Sequence, residues 1–308
     1  MPLIPYQKQH LTFADQIAHL ERKGMAFSDK QSAEFKLSSL SYYRLSGYWY
    51  PFRVRNADGV VGNTLEANTH FDEVIELYEM DRQLRSLVLD ATERVEIAVR
   101  TQFTYHIGHR YGAFGHVDPA NFHHQFRHGE WLQKLEVEVA RSNDDFIKHY
   151  KSKYQGFPTI PIWMLTEVMS LGALSIGYRG LRNDQKSGFE DKKAIAEHFG
   201  LHHKRLADWL HTLTYVRNIC AHHSRLWNRK LAIRPDKAKE PEWLPPITPR
   251  NDRIFYILLM LRFLLRVTGN GEQWAEQVNQ IISPVSENRR WRAAMGIPED
   301  WREHPIWT

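Results

Sequence analysis

An unbroken helical periodicity from about Phe71 to His109 constrains this chain more than any other feature. Apolar residues recur along it with helical spacing, from Phe71, Ile75 and Tyr78 through Leu84, Leu87 and Val88 to Val95, Ile97, Val99 and Phe103. The shorter patterns around it are helical too. In "LTFADQIAHLERKGM", Phe13, Ile17 and Leu20 share a face, Thr12 is placed to cap the helix and Gly24 to end it. "SDKQSAEFKLSSLSYYRLSGYWY" follows with Ser28 as its cap, so the two short helices and the glycine turn between them read either as a packing unit or as a helix-turn-helix. The predicted class is all-α: a helical bundle with a small N-terminal helical segment and an irregular insertion.

With 308 residues, the chain suits one large domain or two modest ones, and 42% apolar residues and ten tryptophans provide a sizeable core. The net charge of +5 and pI near 9.1 favour polyanionic partners. A single cysteine, Cys220, excludes an intrachain disulfide framework, and a reducing cytoplasm is expected. The start "MPLIPYQKQHLTF" lacks the charged-then-apolar pattern of a secretory signal. "IFYILLMLRFLLRV" is the most apolar stretch, but Arg262 and Arg266 interrupt it, and it falls short of the roughly 20 residues that span a bilayer. It reads as a buried core helix, and no membrane association is expected.

The turn-rich "RNADGVVGNT" marks a boundary between an N-terminal segment, 1–64, and a main helical domain, 65–308. Before it, "YYRLSGYWYPFRV" gathers aromatics around Arg44, either as a hairpin or as a packing wedge; aromatics beside arginine also stack on unpaired bases. In "ATERVEIAVRTQ", Glu93, Glu96 and Arg100 share a helix face, as a solvated ionic stripe or as residues that orient a partner in a shared site. The insertion near 110–160 begins with a glycine-, histidine- and proline-rich run from Tyr111 to Arg127. "IWMLTEVMSLGALSIGYRGL" reads as one buried helix, and the proline-rich "IRPDKAKEPEWLPPITPR" as a connection. The tryptophan-rich tail "WRAAMGIPEDWREHPIW" is expected to pack on the domain.

"TYVRNICAHHSRLWNRKL" carries the most chemistry. Treated as one helix, Lys204–Arg225 aligns His211, Tyr215, Asn218, His222 and Arg225 along one face and Trp209, Leu213, Val216 and Cys220 along an apolar one. Arg217 sits at the edge between them, with a side chain long enough to reach toward His222. These residue types suit metal-independent cleavage of RNA, which carries its own nucleophile in the 2′-hydroxyl. Imidazole moves protons near neutral pH, and guanidinium binds phosphate oxygens while staying charged. A basic surface helix is the plainer reading. A metal reading of Cys220, His222, His223, His202, His203, His123 and His124 lacks a ligand set of recognised spacing, because Cys220 and His222 point apart on a helix. No phosphate loop or dinucleotide fingerprint is present, so no cofactor and no metal are expected.

Arg217-Asn218, three residues and then His222 resemble the arginine-x4-histidine signature of HEPN domains. The longer "RNICAHHSRLWNR" is similar to the abortive-infection family that includes AbiD and AbiF, as are "YYRLSGYWYPF", "ERVEIAVRT" and "MGIPEDW". The resemblance implies a HEPN-type helical bundle and a metal-independent endoribonuclease in phage defence, a toxin regulated by a small RNA. It also implies a composite site of two facing motifs; with one clear copy here, homodimerisation is the simplest way to bring two together. Carried over by position, Arg217 binds phosphate, His222 transfers protons and Asn218 is the polar residue that follows the arginine. Arg225, Tyr215, His223, Arg229 and Arg44 are the expected RNA contacts. The alternative is a binding protein that holds a structured non-coding RNA with little or no cleavage.

Overall fold

The structure, a computed structural model, describes residues 5–184, 186, 188–237, 241–243, 248–269 and 271–308. It is all-α in class, with only short strands, and it divides into two compact units, residues 1–83 and 84–308.

The first unit holds α1 (Phe13–Glu21), β1 (Met25–Ala26), α2 (Lys30–Leu40), α3 (Tyr42–Trp49), β2 (Arg53–Arg55), β3 (Val61–Leu65), β4 (Thr69–His70) and the first turns of α4 (Phe71–Tyr111). Thr12 caps α1 as its spacing suggests, its side chain accepting the Asp15 N–H. The cap of α2 is Asp29 rather than Ser28: its carboxylate accepts the N–H groups of Gln31 and Ser32. After Gly24, at φ +96, the chain enters β1, which pairs in parallel with β4, so a short strand and not a bare turn separates the first two helices. The turn-rich stretch after Arg55 is the tip of a hairpin of β2 and β3. Asn56 closes it by accepting the Val60 N–H at 2.8 Å, with Gly59 at φ +77. Most of the aromatic segment is helix α3, its last residues, Arg53 and Val54, enter β2 of the hairpin, and it serves as packing. It buries Leu45, Tyr48 and Trp49, and the Tyr48 hydroxyl donates to Asp81 at 2.7 Å.

The second unit begins inside α4 at Leu84 and adds α5 (His128–Arg141), α6 (Asp145–Lys153), α7 (Ile162–Val168), α8 (Leu171–Gly180), α9 (Asp191–His198), α10 (His203–Ala221), α11 (Ile254–Leu264), α12 (Gly271–Glu287) and α13 (Arg289–Met295). Helix α11 is the apolar segment, buried from Ile254 through Arg262. The charge of Arg262 is met by Glu272 at 2.5 Å. No helix among the described residues is long and apolar enough to cross a membrane. The tail packs as expected, with Trp301 and Trp307 5.6 Å apart and both against Phe255. The proline-rich connection lies partly outside the described residues.

Two expectations are corrected here. The stretch expected as one helix from Ile162 is two, because Ser170 is extended and caps α8 by accepting the Ala173 N–H. And the Glu96–Arg100 pair is not a solvated stripe: the side chains are only 14% and 20% exposed. Arg100 reaches across to the break, donating to the carbonyls of Glu167 at 3.1 Å and Met169 at 2.6 Å while paired with Glu96. Those carbonyls belong to the end of α7, where the helix leaves acceptors without intrahelical donors. Glu93 alone of the three is exposed.

Candidate functional site

Helix α10 is anchored by its apolar side. Trp209, Leu210, Leu213 and Val216 are fully buried, with Trp209 edge-on to Trp243 and Phe263, and α8 and α9 pack along it. The side left to solvent carries His211, Arg217 and Asn218, while Tyr215 is half-buried.

The helix does not continue to Arg225. It ends at Ala221 in a Schellman turn: His222 is the cap, the His223 N–H donates to the Cys220 carbonyl at 2.9 Å, and the Ser224 N–H donates to Ile219 at 2.9 Å. The turn requires a left-handed residue, and His223 takes that role at φ +53, where glycine is usual. The reversal sends Leu226 and Trp227 into the core, Trp227 lying edge-on to Trp291 at 5.3 Å. Arg225 therefore does not share the helical face of His211, Tyr215 and Asn218; it lies in the chain beyond the turn.

That chain is held in place. Arg229 Nε donates to the Arg225 carbonyl at 2.8 Å, Arg253 Nη1 to the Asn228 carbonyl at 2.8 Å, and the Leu231 N–H to the Asp252 carbonyl at 3.0 Å. The Tyr215 hydroxyl accepts the Ala232 N–H at 3.4 Å, so this residue ties helix to loop. Hydrogen bonds from Arg250 hold the Asp252 carboxyl below the usual carboxylate range.

Arg217, Asn218, His222 and His223 are exposed, and Arg225 and Arg229 half-buried. Arg217 Nη1 donates to Asn218 Oδ1 at 3.4 Å, which turns the guanidinium toward the side of the helix that Asn218 shares with His222, four residues on. Arg44 belongs to the first unit, on the exposed side of α3 beside Tyr43. Cys220 is buried on the apolar side of α10, away from the exposed imidazoles, and among the described residues no group of three or more His, Cys, Asp or Glu is placed to hold a metal ion.

From Trp209 to Pro235 the chain has no acidic residue, yet it carries Arg217, Arg225, Arg229, Lys230 and Arg234. This matters because the end of a helix carries about −0.5 charge, which repels anions. Only side-chain cations make such a place attractive to phosphate. The left-handed His223 and the Asp252 and Arg253 anchors were not read from the sequence. The acid-free run was a signal available there.

A family model described as Abi-like protein matches residues 35–228, well over half of the chain. The chain belongs to the Abi-like protein family. The matched region starts within α2 and runs through α10, the His222 turn and Arg225. Membership supports a role in abortive infection. No curated protein and no solved structure matches the chain.

Proposed function

We propose that this Abi-like protein is a metal-independent endoribonuclease of the HEPN type, close to AbiD and AbiF, with the end of α10 as its site. What supports the reading is that Arg217, Asn218 and His222 are all exposed at the end of α10, with Arg217 donating to Asn218, followed by an anchored, acid-free loop with Arg225 and Arg229. RNA would supply the nucleophile. One imidazole accepts the 2′-hydroxyl proton, O2′ bonds to the adjacent phosphorus, the P–O5′ bond breaks, and a second proton donor protonates the departing O5′. The products are a 2′,3′-cyclic phosphate and a 5′-hydroxyl. Arg217 offsets charge on the phosphoryl oxygens, and Asn218, in contact with Arg217, fixes the guanidinium. His223, Arg225, Arg229 and Tyr215 hold the strand, and Arg44 is a further contact. One chain has one His222 and one motif, so a homodimer with two facing copies supplies base and acid together.

Cleavage should survive EDTA and leave cyclic phosphate ends; loss of activity with EDTA and recovery with zinc would refute the mechanism. His222→Ala should abolish cleavage while RNA is still bound, and relieve growth inhibition in a bacterial host. In mixtures of the two chains, activity should fall faster than the wild-type fraction if the site is shared.

A second reading is favoured by the openness of the site, where all the motif side chains face solvent in a single chain. Here the same basic end grips a structured small RNA and cuts little. Arg217→Ala would then lose affinity, and no product would form with any variant.

A further inference from the structure

The segment between Tyr111 and Arg127 takes no part in the α10 site. It is fixed against the end of α8 by backbone pairing: the His123 N–H donates to the Gly180 carbonyl and the Arg182 N–H to the Asn121 carbonyl, both at 3.0 Å. Phe126 and Trp131 lie against α8 where it has no side chains. A Cβ on Gly180 would fall 2.6 Å from the Phe126 ring, and one on Gly177 2.6 Å from Trp131. The rings can lie there only because those positions are glycine. Trp131 is pinned further by its Nε1, which donates to the Ala173 carbonyl at 2.9 Å. Phe126 stacks on Phe122, with centroids 5.1 Å apart, and remains partly exposed.

Above these rings opens a groove of about 370 Å³, within the range of small-molecule sites. Its rim carries Arg127, Lys134 and Arg179. Arg127 is loosely paired with Glu130, the one carboxylate of the lining, at 3.6 Å. Lys134 and Arg179 are exposed and form no ion pair among the described residues. More positive charge lies close by: Lys192 Nζ donates to the Arg179 carbonyl at 2.6 Å, and burial together with Arg179 pushes its ammonium down to about 8. Burial, then Lys192, His124 and Arg179, push the His123 imidazole below its ordinary value. Glu130 offsets only part of this mutually repelling positive charge, so an anion would relieve the rest. A second groove, of about 530 Å³, also has His123 in its lining, with His124, Arg182 and Asp184.

The geometry points to a nucleotide-binding site here, separate from α10: an aromatic base against Phe126 and a phosphate between Lys134 and Arg179. An aromatic face beside guanidinium and ammonium groups is the pairing that holds single nucleotides and single strands alike. The source is either a free nucleotide or one unit of an RNA strand.

The test is direct binding, with the full chain carrying His222→Ala so that RNA stays intact. The probes are adenosine 5′-monophosphate and a short labelled single-stranded RNA. Lys134→Ala/Arg179→Ala should weaken binding about tenfold or more and, for RNA, make the log–log salt slope shallower by about 1.4. Phe126→Leu should weaken it about tenfold through lost stacking. Arg141→Ala removes an exposed cation of α5 outside the groove and should change nothing. Binding of the monophosphate that falls in the groove variants assigns the site to free nucleotides; binding of RNA alone, with the same losses, assigns it to a strand. The proposal is overturned if neither probe responds to the double variant at unchanged melting temperature, or if Arg141→Ala costs as much. Cleavage is not read, and a loss that follows Lys134 and Arg179 but not Arg141 separates the groove from RNA held at the α10 site.

Discussion

Arg100→Ala should destabilise the second unit by about 3 kcal/mol. The guanidinium makes hydrogen bonds to two carbonyls at the end of α7 and pairs with Glu96. A fully exposed ion pair would contribute about 0–1 kcal/mol, and breaking a fully buried one costs about 3–5 kcal/mol. At 14% and 20% exposure the Glu96–Arg100 pair stands nearer the buried limit. The truncation also leaves two carbonyls without their donor, at about 1–3 kcal/mol each when shielded, though these contributions do not add in full. For a unit spanning residues 84–308, about 3 kcal/mol corresponds to a melting temperature lower by roughly 6–12 °C in calorimetry. Arg100→Lys keeps the charge but loses the planar fork, and should fall between wild type and alanine. Arg217→Ala, at an exposed position, should leave stability within about 0.5 kcal/mol while lowering cleavage. A shift below about 2 °C for Arg100→Ala would refute the view that this side chain fixes the α7–α8 break.

His304 is buried, its Nδ1 accepts the Ile306 N–H, and burial pushes its pKa down to about 4. The unfolded chain therefore binds a proton that the folded one refuses, and stability present above about pH 6.5 is lost as pH falls toward 4, on the order of 2 kcal/mol by pH 5. His304→Asn retains an acceptor without titrating, so its melting temperature should drop less than wild type's between pH 7 and 5; parallel curves would count against this. His223→Gly should relieve the left-handed backbone at φ +53 and raise stability by about 1 kcal/mol while weakening RNA retention. A net loss of stability would show that the imidazole serves the fold.

What could be read in advance followed the range of the forces involved. Helix α4 was legible almost to its ends because its burial pattern is written in consecutive residues. That Arg217, Asn218 and His222 lie near the exposed end of one helix was legible because helical spacing relates them. The β2–β3 hairpin was hidden because its first arm, Arg53–Arg55, is only three residues long, too short for an alternating pattern to show. The α7–α8 break carries neither proline nor a left-handed glycine; part of its support, Arg100, lies 69 positions upstream of Met169. The end of α10 was overrun for a similar reason. Histidine gives no local warning of a left-handed turn, and the burial of Leu226 and Trp227 that demands one is tertiary.

The placement of the basic cluster at a helix C-terminus leads to a last prediction. Three guanidinium groups, Arg217, Arg225 and Arg229, follow or flank that end. If two copies face each other across a two-fold axis, nine cross pairs of like charge meet. At a separation of about 10 Å in water each pair repels by about 0.4 kcal/mol, or roughly 4 kcal/mol together before screening. The Debye length is about 10 Å at 0.1 M salt, so moderate salt removes most of this. Association of the protein without RNA should therefore tighten as salt rises from about 0.02 to 0.5 M, on the order of tenfold in the dimer Kd. RNA binding should weaken over the same range, because the phosphate contacts are lost to screening. Sedimentation equilibrium at the two salt concentrations reads the first effect, and anisotropy of labelled RNA the second. A dimer that weakens with salt, or that ignores it, would mean that the two chains meet through some other surface. The shared-site arrangement would then have to be abandoned even if the chain cuts RNA.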